Sequence, residues 1–248
     1  MLMEEYNQYW EKHKNDYAVE LPKRGIQSRL NLFRKHLKNK IVLHIGCSDW
    51  PDTEEKIENK DLLHQYLGNI AAELYGLDVS AESVGIMKKD GIKNVFAGDL
   101  YLLHNNEGLS DKKFNVLLIS EVIEHLVNPG LALESIRKYV LKTNPKCEVI
   151  FTVPNYQNLW YNFTSGLTGK EVVNSDHKYY FSYRTFRTLI ENYNFEVNDF
   201  YFATYGEGME TLKGRIFVKL FSKIFQCLLP YLYFKCHVGK QGFRGKKA

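Results

Sequence analysis

The sequence predicts a single α/β domain with a mostly parallel sheet and helices on both of its faces. Three observations support this fold class. The chain has 248 residues, of which 44% are hydrophobic, enough for one substantial core and few for two domains. From Ile41 onward, short runs rich in β-branched residues alternate with helical patterns, which is typical of βαβ units. No internal repeat or low-complexity linker interrupts this alternation.

Seven strands are predicted along the chain. They span 41–45, 73–77, 94–96, 114–119, 148–153, 195–204 and 231–238. Two of the helices between them have clear starts. Asn128 precedes Pro129, so an N-cap side chain is followed by a residue that needs no N–H donor at that position. Ser182 caps another helix, in which apolar residues recur at the spacing that buries one face.

Two segments flank this core. Residues 1–40 are predicted to form an N-terminal helical cap over a ligand cleft, because apolar residues recur at helical spacing from Ile26 to Leu37. The main domain is predicted to span 41–248, with a helical insertion at about 208–230 before the last strand. The insertion is amphipathic and basic, so it packs on the sheet, on a second copy of the chain in a homodimer, or peripherally on a membrane surface. It is too short and too charged to span a bilayer.

Composition argues against several classes of function. The net charge is only +4, and much of the excess lies in the closing stretch after residue 239, so the body is close to neutral and nucleic acid is not expected as a partner. The four cysteines form no C-x-x-C pair, and no signal-peptide pattern opens the sequence. We therefore expect a cytoplasmic protein.

Three strand ends carry residues suited to an adenosine ligand. The strand at 41–45 leads directly into Gly46, the next strand is followed by Asp78, and the third by Asp99. In open parallel sheets, ligands bind at the carboxyl ends of the strands. Asp78 is placed to accept hydrogen bonds from ribose hydroxyls and Asp99 from an adenine amine, so the pattern indicates an adenosine cofactor.

The turn after the first of these strands favours one adenosine cofactor over another. A dinucleotide site needs G-x-G-x-x-G, because backbone amides and a helix N-terminus must approach a pyrophosphate. Here Gly46 is the only glycine in the turn, and Asp49 and Asp52 would repel a pyrophosphate. A phosphate-free cofactor with a sulfonium and an ammonium group tolerates those carboxylates, which favours S-adenosyl-L-methionine (SAM) over NAD.

The order of these motifs resembles the class I SAM-dependent methyltransferases, especially the type 11 or ubiquinone-biosynthesis-like group. The resemblance covers about 41–204 and rests on Leu43-His-Ile-Gly-Cys, Leu77-Asp, Gly98-Asp, Ile119-Ser-Glu-Val-Ile-Glu-His-Leu, Val153-Pro-Asn and Asp176-His. It implies a Rossmann-like fold with a mostly parallel seven-stranded sheet and SAM as cofactor. The cofactor-binding residues that it implies are His44, Gly46, Cys47, Asp78, Val79, Asp99, Leu100, Ser120 and Glu121.

In this resemblance Gly46 approaches the methionine part of the cofactor, Asp78 the ribose, Asp99 the adenine and Ser120 the cofactor's edge. The chain also departs from the pattern. His44 stands where relatives usually have an acidic residue, and the further glycines after Gly46 are missing. The interval to Asp78 is long, which predicts an insertion at 47–55.

The residues after the fourth strand predict the catalytic end of the site. Glu121 and Glu124 are three apart, so we expect them to share a helix face with His125 beside them. This E-x-x-E-H string resembles the metal site of ubiquinone-pathway catechol O-methyltransferases and small-RNA terminal 2′-O-methyltransferases. His177 is the predicted fourth ligand. A divalent ion such as Mg²⁺ held there would lower the pKa of an acceptor hydroxyl.

A metal-free alternative stays open. His177 could act as the general base, with Glu124 and His125 as its catalytic partners, because an imidazole takes up protons near neutral pH. The string would then only cap a helix under the cofactor. The aromatic residues around His177 predict an acceptor pocket suited to sugars or planar rings; they are Tyr156, Trp160, Tyr161, Phe163, Tyr179 and Tyr180.

The sequence thus predicts an enzyme that methylates oxygen on a hydroxylated small molecule, a sugar or a polysaccharide precursor. N- or C-methylation is the alternative among enzymes. A non-catalytic, cofactor-binding partner subunit is the alternative of a different class, because the turn after Gly46 departs from the family pattern.

Overall fold

The molecule is built on one sheet. In the computed structural model, the described residues are 3–4, 7–8, 11, 18–22, 27–204 and 226–239. Within them lie eight strands: β1 (Gln27–Ser28), β2 (Ile41–Ile45), β3 (Glu73–Asp78), β4 (Val95–Ala97), β5 (Val116–Ser120), β6 (Glu148–Pro154), β7 (Phe195–Thr204) and β8 (Tyr231–Val238). Their order across the sheet is β1-β7-β8-β6-β5-β2-β3-β4.

Helices cover both faces of this sheet. The α-helices are α1 (Arg29–Leu37), α2 (Thr53–Glu58), α3 (Leu63–Gly68), α4 (Ala81–Lys89), α5 (Pro129–Thr143), α6 (Leu159–Thr168) and α7 (Tyr183–Asn192). Short 3-10 turns occur at Leu100–Asn105, Ile123–His125 and Gln226–Leu228. The caps predicted for α5 and α7 are confirmed: Asn128 Oδ1 accepts from the backbone N of Leu131, and Ser182 forms a capping box with Thr185.

The seven predicted strands are confirmed, with ends that differ by two residues or fewer. The prediction missed β1, because a two-residue strand is too short to show any periodicity. It also missed α2 and α3, which lie in the long interval between β2 and β3; only the first residues of α2 fall within the insertion predicted at 47–55. The helical insertion predicted at 208–230 falls largely outside the described residues, since 205–225 are not described.

The sheet topology places a cleft between β2 and β5. Adjacent strands are parallel except at β8, which pairs antiparallel with both β6 and β7. From β2 the chain continues outward through β3 and β4 on one side, and then returns to add β5 and β6 on the other side. The strand order therefore reverses between β2 and β5, which is where open α/β sheets bind ligands at the carboxyl ends of their strands.

α1 packs on one face of the sheet and does not lie over the cleft, contrary to the prediction for this helix. Leu32, Phe33 and Leu37 are buried in a cluster with Val42 of β2 and Leu118 of β5. The predicted helical spacing of apolar residues is therefore present, but the apolar face of the helix packs against the sheet. Only Arg29, at the N-terminus of α1, approaches the carboxyl edge. None of the helices among the described residues has the length and apolar character of a membrane span.

Candidate active site

The turn after β2 requires glycine at position 46. Gly46 has a φ of 76°, and a Cβ atom there would lie 2.4 Å from Cγ2 of Val122. Its N–H donates to the carbonyl of Leu77 at 2.8 Å, which fixes the turn against β3. The turn after β2 therefore has no side chain at position 46, which leaves space for a ligand to approach the backbone closely.

The two aspartates predicted for the nucleoside lie at successive strand ends. Asp78 ends β3, where Oδ2 accepts from the N–H of Ser48 and Oδ1 from that of Ser80, both at 3.0 Å. Each carboxylate oxygen keeps a lone pair for a further donor. Asp99 is exposed beyond β4 and uses Oδ1 to cap the following turn at Tyr101. Val79 follows Asp78 and is 78% exposed, so it offers an apolar surface at the same edge.

Three of the predicted cofactor residues turn their side chains into the protein. Cys47 is fully buried, and burial raises the pKa of its thiol far above the usual range. Leu100 packs in the main hydrophobic core. His44 is fully buried on the α1 and α3 side of the sheet. Cys47 and Leu100 are therefore suited to contact a ligand through their backbone alone.

His44 pairs with His64 of α3 beneath the glycine turn. Their Nδ1 atoms lie 3.2 Å apart, and the rings are stacked at 5.5 Å with planes 11° apart. Burial lowers the pKa of His64 to about 4 and that of His44 well below its ordinary value, so both imidazoles are neutral near pH 7. A Cβ on Gly76 would meet Cε1 of His64 at 2.9 Å, so this glycine makes room for the pair.

Glu121 occupies an unusual backbone position at the end of β5. Its φ is 55°, and the 3-10 turn begins only at Ile123, so Glu121 and Glu124 do not share the helix face that the sequence predicted. The Glu121 carboxylate instead accepts from Oγ1 of Thr152 at 2.9 Å and lies 3.5 Å from Nη1 of Arg29. Ser120 is buried beside it, with its Oγ 3.0 Å from Oγ1 of Thr152.

Arg29 has unused hydrogen-bonding capacity at this edge. Its guanidinium lies 4.4 Å from the ring centroid of Tyr231, and the contact with Glu121 is an ion pair without hydrogen-bond geometry. Nε and Nη1 are buried and have no hydrogen-bond acceptor among the described residues. Buried donors without partners carry a free-energy cost that a bound anion would remove. No local sequence pattern marks Arg29 or Thr152, since each meets Glu121 only in the folded chain.

Three of the four predicted metal ligands come together. One side-chain donor atom each from Glu124, His125 and His177 lies within 4.8 Å of the others. Glu121 is not in this group. Glu124 is fully buried, and neither of its carboxylate oxygens has a hydrogen-bond partner. Burial, and after it the charge of Glu121, raises the pKa of Glu124 well above its usual range.

The two histidines of this group are held in different ways. His125 Nδ1 lies 3.0 Å from Oδ2 of Asp176, whose other oxygen accepts from Lys178 at 2.9 Å. The rings of His125 and His177 meet edge to face, with centroids 4.7 Å apart. Burial lowers the pKa of His177, and a positive charge on His125 lowers it further. His177 is therefore a neutral imidazole near pH 7, available as a ligand or a base.

A cavity of about 790 Å³ opens beside these histidines. Of the six aromatic residues predicted to surround it, Tyr156, Tyr161, Tyr179 and Tyr180 line it, whereas Trp160 and Phe163 do not and remain 68% and 57% exposed. Further lining comes from three parts of the chain that sequence reasoning did not join: the end of β6, the segment 169–174, and the start of β8. Its lining includes Glu121, His125, His177 and Tyr231.

Comparisons with known proteins agree with this geometry. A family model described as a methyltransferase domain matches residues 17–199. No curated protein sequence matches the chain. Because the solved structures below are each under 25% identical to the chain, their similarity concerns the fold.

A SAM-dependent methyltransferase from Archaeoglobus fulgidus has a TM-score of 0.53 and 19% identity, with 94% of this chain and 99% of that chain covered. A SAM-dependent methyltransferase from Thermotoga maritima has a TM-score of 0.52 and 14% identity, with 95% of each chain covered. The small RNA methyltransferase HEN1 has a TM-score of 0.53 and 14% identity over 90% of this chain but only 27% of that chain. With the family model covering most of its length, the chain belongs to the methyltransferase-domain family and is a SAM-dependent methyltransferase of the class I, Rossmann-like fold.

Proposed function

We propose that this enzyme transfers the methyl group of SAM to a hydroxyl oxygen of a small molecule or of a sugar, such as a polysaccharide precursor. The observation that carries the proposal is the fully buried Glu124, whose two carboxylate oxygens have no partner although His125 and His177 lie beside it. A hydroxyl acceptor must lose a proton as it is methylated, and this cluster supplies groups that can assist that loss.

The cofactor site that we propose uses the strand ends described above. SAM supplies an electrophilic methyl group on its sulfonium when bound. Asp78 would accept hydrogen bonds from the ribose, Asp99 has an oxygen free for the adenine amine, and Gly46 leaves space for the backbone to approach. Arg29, with its unpaired buried donors, is suited to the carboxylate of the methionine part.

The catalytic cluster fits a divalent ion. Glu124, His125 and His177 would hold it, and the two unpaired oxygens of Glu124 would gain the partner that they lack. Two imidazoles and one carboxylate favour a first-row transition ion, for example Mn²⁺, over Mg²⁺, which holds imidazole poorly and prefers oxygen ligands. The ion would lower the pKa of a bound hydroxyl. Asp176 would fix the orientation of His125 through its contact with Nδ1 of that ring.

The same residues also support a metal-free version of the reaction. His177 would then accept the proton of the acceptor hydroxyl, and its lowered pKa keeps it in the basic form near neutral pH. His125, in contact with both His177 and Asp176, would stabilise the resulting charge. Sensitivity to a chelator distinguishes the two versions.

The lining of the cavity supports a ring-shaped acceptor with several hydroxyls. Four tyrosines offer aromatic faces that pack on sugars or planar rings. Asn155, Asn162 and Asn174 add amide groups to the same lining. All four cysteines are free thiols, three of them buried, which supports a reducing compartment such as the cytoplasm.

A screen with methyl-labelled SAM tests the proposal. Catechols, phenols, free sugars and nucleotide-activated sugars are offered as acceptors, each with and without a chelator, and the methylated atom of any product is identified by NMR spectroscopy. Label on oxygen is the expected result. Asp78→Ala and Asp99→Ala provide controls, since both should bind S-adenosylhomocysteine more weakly than the wild type in calorimetry. The cofactor assignment fails if they bind it equally well or if NAD binds better.

The screen also decides between the remaining functions. Label on nitrogen or carbon would replace O-methylation; the Thermotoga maritima neighbour is described as a possible histamine N-methyltransferase. Cofactor binding without transfer to any acceptor would favour a non-catalytic partner subunit, the alternative suggested by the altered turn after Gly46.

A further inference from the structure

The His44–His64 pair is placed directly beneath the turn that the methionine part of the cofactor approaches. His44 lies in β2 two residues before Gly46, and its backbone is in register with Gly76 of β3. His64 belongs to α3, in the long interval between β2 and β3. Both side chains are almost completely removed from solvent. A pair of buried polar rings at this place needs a reason, because apolar side chains would fill the space at lower desolvation cost.

One end of the pair lacks a partner. Nδ1 of His44 contacts Nδ1 of His64, but Nε2 of His44 is buried and has no hydrogen-bond partner in the described structure. Unpaired buried ring nitrogens are uncommon in folded proteins, because each costs the desolvation of a polar atom. The imidazole therefore has one nitrogen satisfied by the protein and one left for another molecule.

The protonation state and the tautomer of His44 determine which kind of ligand group its Nε2 can bind. Burial lowers the pKa of His44 most, and the neighbouring His64 and the charge of Arg29 lower it further. Burial therefore keeps the imidazole of His44 neutral, and Arg29, which stays positively charged at all relevant pH values, acts in the same direction. If the Nδ1–H of His44 donates to His64, the lone pair of Nε2 becomes a hydrogen-bond acceptor. Such an acceptor fits a donor cation and does not fit a carboxylate.

The cofactor brings one such cation and one anion on the same carbon. The donors of Arg29 suit its carboxylate, which leaves its ammonium in need of an acceptor nearby. We propose that Nε2 of His44 accepts a hydrogen bond from the ammonium group of the cofactor, with His64 holding the required tautomer. A neutral histidine pair then stands where similar methyltransferases usually carry an acidic residue.

The inference concerns the cofactor alone. It is independent of the acceptor and of any metal, and it does not rest on the proposed O-methylation. Failure of the acceptor screen would leave it standing, and its own failure would leave the acceptor proposal untouched.

Calorimetry with two ligands tests the inference. One is S-adenosylhomocysteine, and the other is its deaminated analogue, in which hydrogen replaces the amino group. The wild type should prefer S-adenosylhomocysteine by about tenfold or more, since a hydrogen bond to a charged group is at stake. His44→Phe keeps the ring but removes the acceptor, so it should bind both ligands about equally. His44→Gln places an amide oxygen near the same point and should recover part of the preference.

His36→Gln is the matched control, because His36 is another buried histidine on this face of the sheet, with Nδ1 2.6 Å from the hydroxyl of Tyr233. It should keep the wild-type preference. Circular dichroism and thermal unfolding establish whether each variant is folded. A His44→Phe protein that is folded and still prefers S-adenosylhomocysteine by the wild-type factor overturns the inference.

The wild type alone also provides a test, which stands even if His44→Phe does not fold. Equal affinity for the two ligands overturns the inference without any variant. In ¹⁵N NMR spectra, Nε2 of His44 should be an unprotonated nitrogen whose resonance moves when S-adenosylhomocysteine binds and stays in place with the deaminated analogue. A protonated Nε2 in the free enzyme and in the complex would contradict the proposal.

Discussion

Asp176 Oδ2 lies 3.0 Å from Nδ1 of His125, so the only ring nitrogen of His125 left to meet a ligand is Nε2. A carboxylate behind a histidine fixes its tautomer and raises its basicity, and removal of such a partner typically costs ten- to a hundredfold in metal affinity. We expect Asp176→Asn to weaken Mn²⁺ binding by about that factor in calorimetry. Glu58→Gln, at an exposed acidic residue far along the chain, should leave the affinity unchanged; an unchanged affinity in Asp176→Asn would argue against the metal site.

Replacement of His177 should impair catalysis and spare cofactor binding. We expect His177→Ala to lower kcat by about a hundredfold or more, with the affinity for S-adenosylhomocysteine nearly unchanged. If His177 is the base, the rate should rise with pH through a pKa below the ordinary value of 6.5, because burial lowers the pKa of His177. The rate should then ignore chelators. Loss of turnover with a chelator and its return with added Mn²⁺ would instead assign His177 to a metal.

Arg29 should make the binding of the cofactor depend on the carboxylate of its methionine part. We expect Arg29→Gln to bind S-adenosylhomocysteine about ten- to a hundredfold more weakly, as measured by calorimetry, because a charge-assisted contact is lost. Its affinity for the decarboxylated analogue should hardly change. Arg34→Gln is the control on the same helix, since Arg34 contacts Asn31 and Tyr66 away from the cleft. Equal losses for both ligands would mean that Arg29 mainly supports the fold.

Buried neutral histidines should make the fold sensitive to acid. Burial lowers the pKa of His36 and of His64 to about 4, while the unfolded chain titrates near 6.5. Between these values the unfolded state binds more protons, so the free energy of unfolding should fall as the pH is lowered from about 6.5 towards 4. Urea titrations at pH 7 and pH 5 should differ by roughly 2 kcal/mol for each such histidine. His36→Gln should reduce the difference; a difference as large as in the wild type would contradict the assignment.

Replacement of Phe33 tests whether α1 stabilises the fold or only covers the cleft. Its side chain is fully buried against the sheet, and truncation of a buried phenylalanine costs about 3–5 kcal/mol. We expect Phe33→Ala to lower the midpoint of thermal unfolding accordingly. Removal of 1–39 should then destabilise the whole fold. If the segment instead serves only as the cap over the cleft that the sequence predicts, the deletion should leave stability and cofactor binding intact.

The parts of the site that the sequence predicts are those in which neighbours in sequence are also neighbours in space. Gly46, Asp78 and Asp99 each follow a strand directly, so a strand pattern and a turn residue locate them. Their detailed contacts stay predictions. The parts that it misses depend on contacts between distant segments. Arg29 meets Glu121 across 92 positions of the chain, and no local pattern indicates that these two residues meet.

Backbone conformation accounts for another miss. The spacing of Glu121 and Glu124 indicates a shared helix face, yet the left-handed φ of Glu121 places it before the turn. A non-glycine residue in that region is held there by its surroundings, here by Thr152 and Arg29. The spacing of residues in the sequence cannot show such a constraint, because it arises from contacts in the folded chain.

The position of β8 has a consequence for how the protein is made. Tyr231–Val238 is the last strand of the sheet in sequence, but it lies between β6 and β7, and β7 has no other neighbour in the described sheet except the two-residue β1. On the ribosome, β6 therefore keeps an open edge until residue 238 has left the exit tunnel, and an open edge invites pairing with other chains. Pro230 and Tyr231 line the cavity, so its lining is complete only after this last strand has joined the sheet.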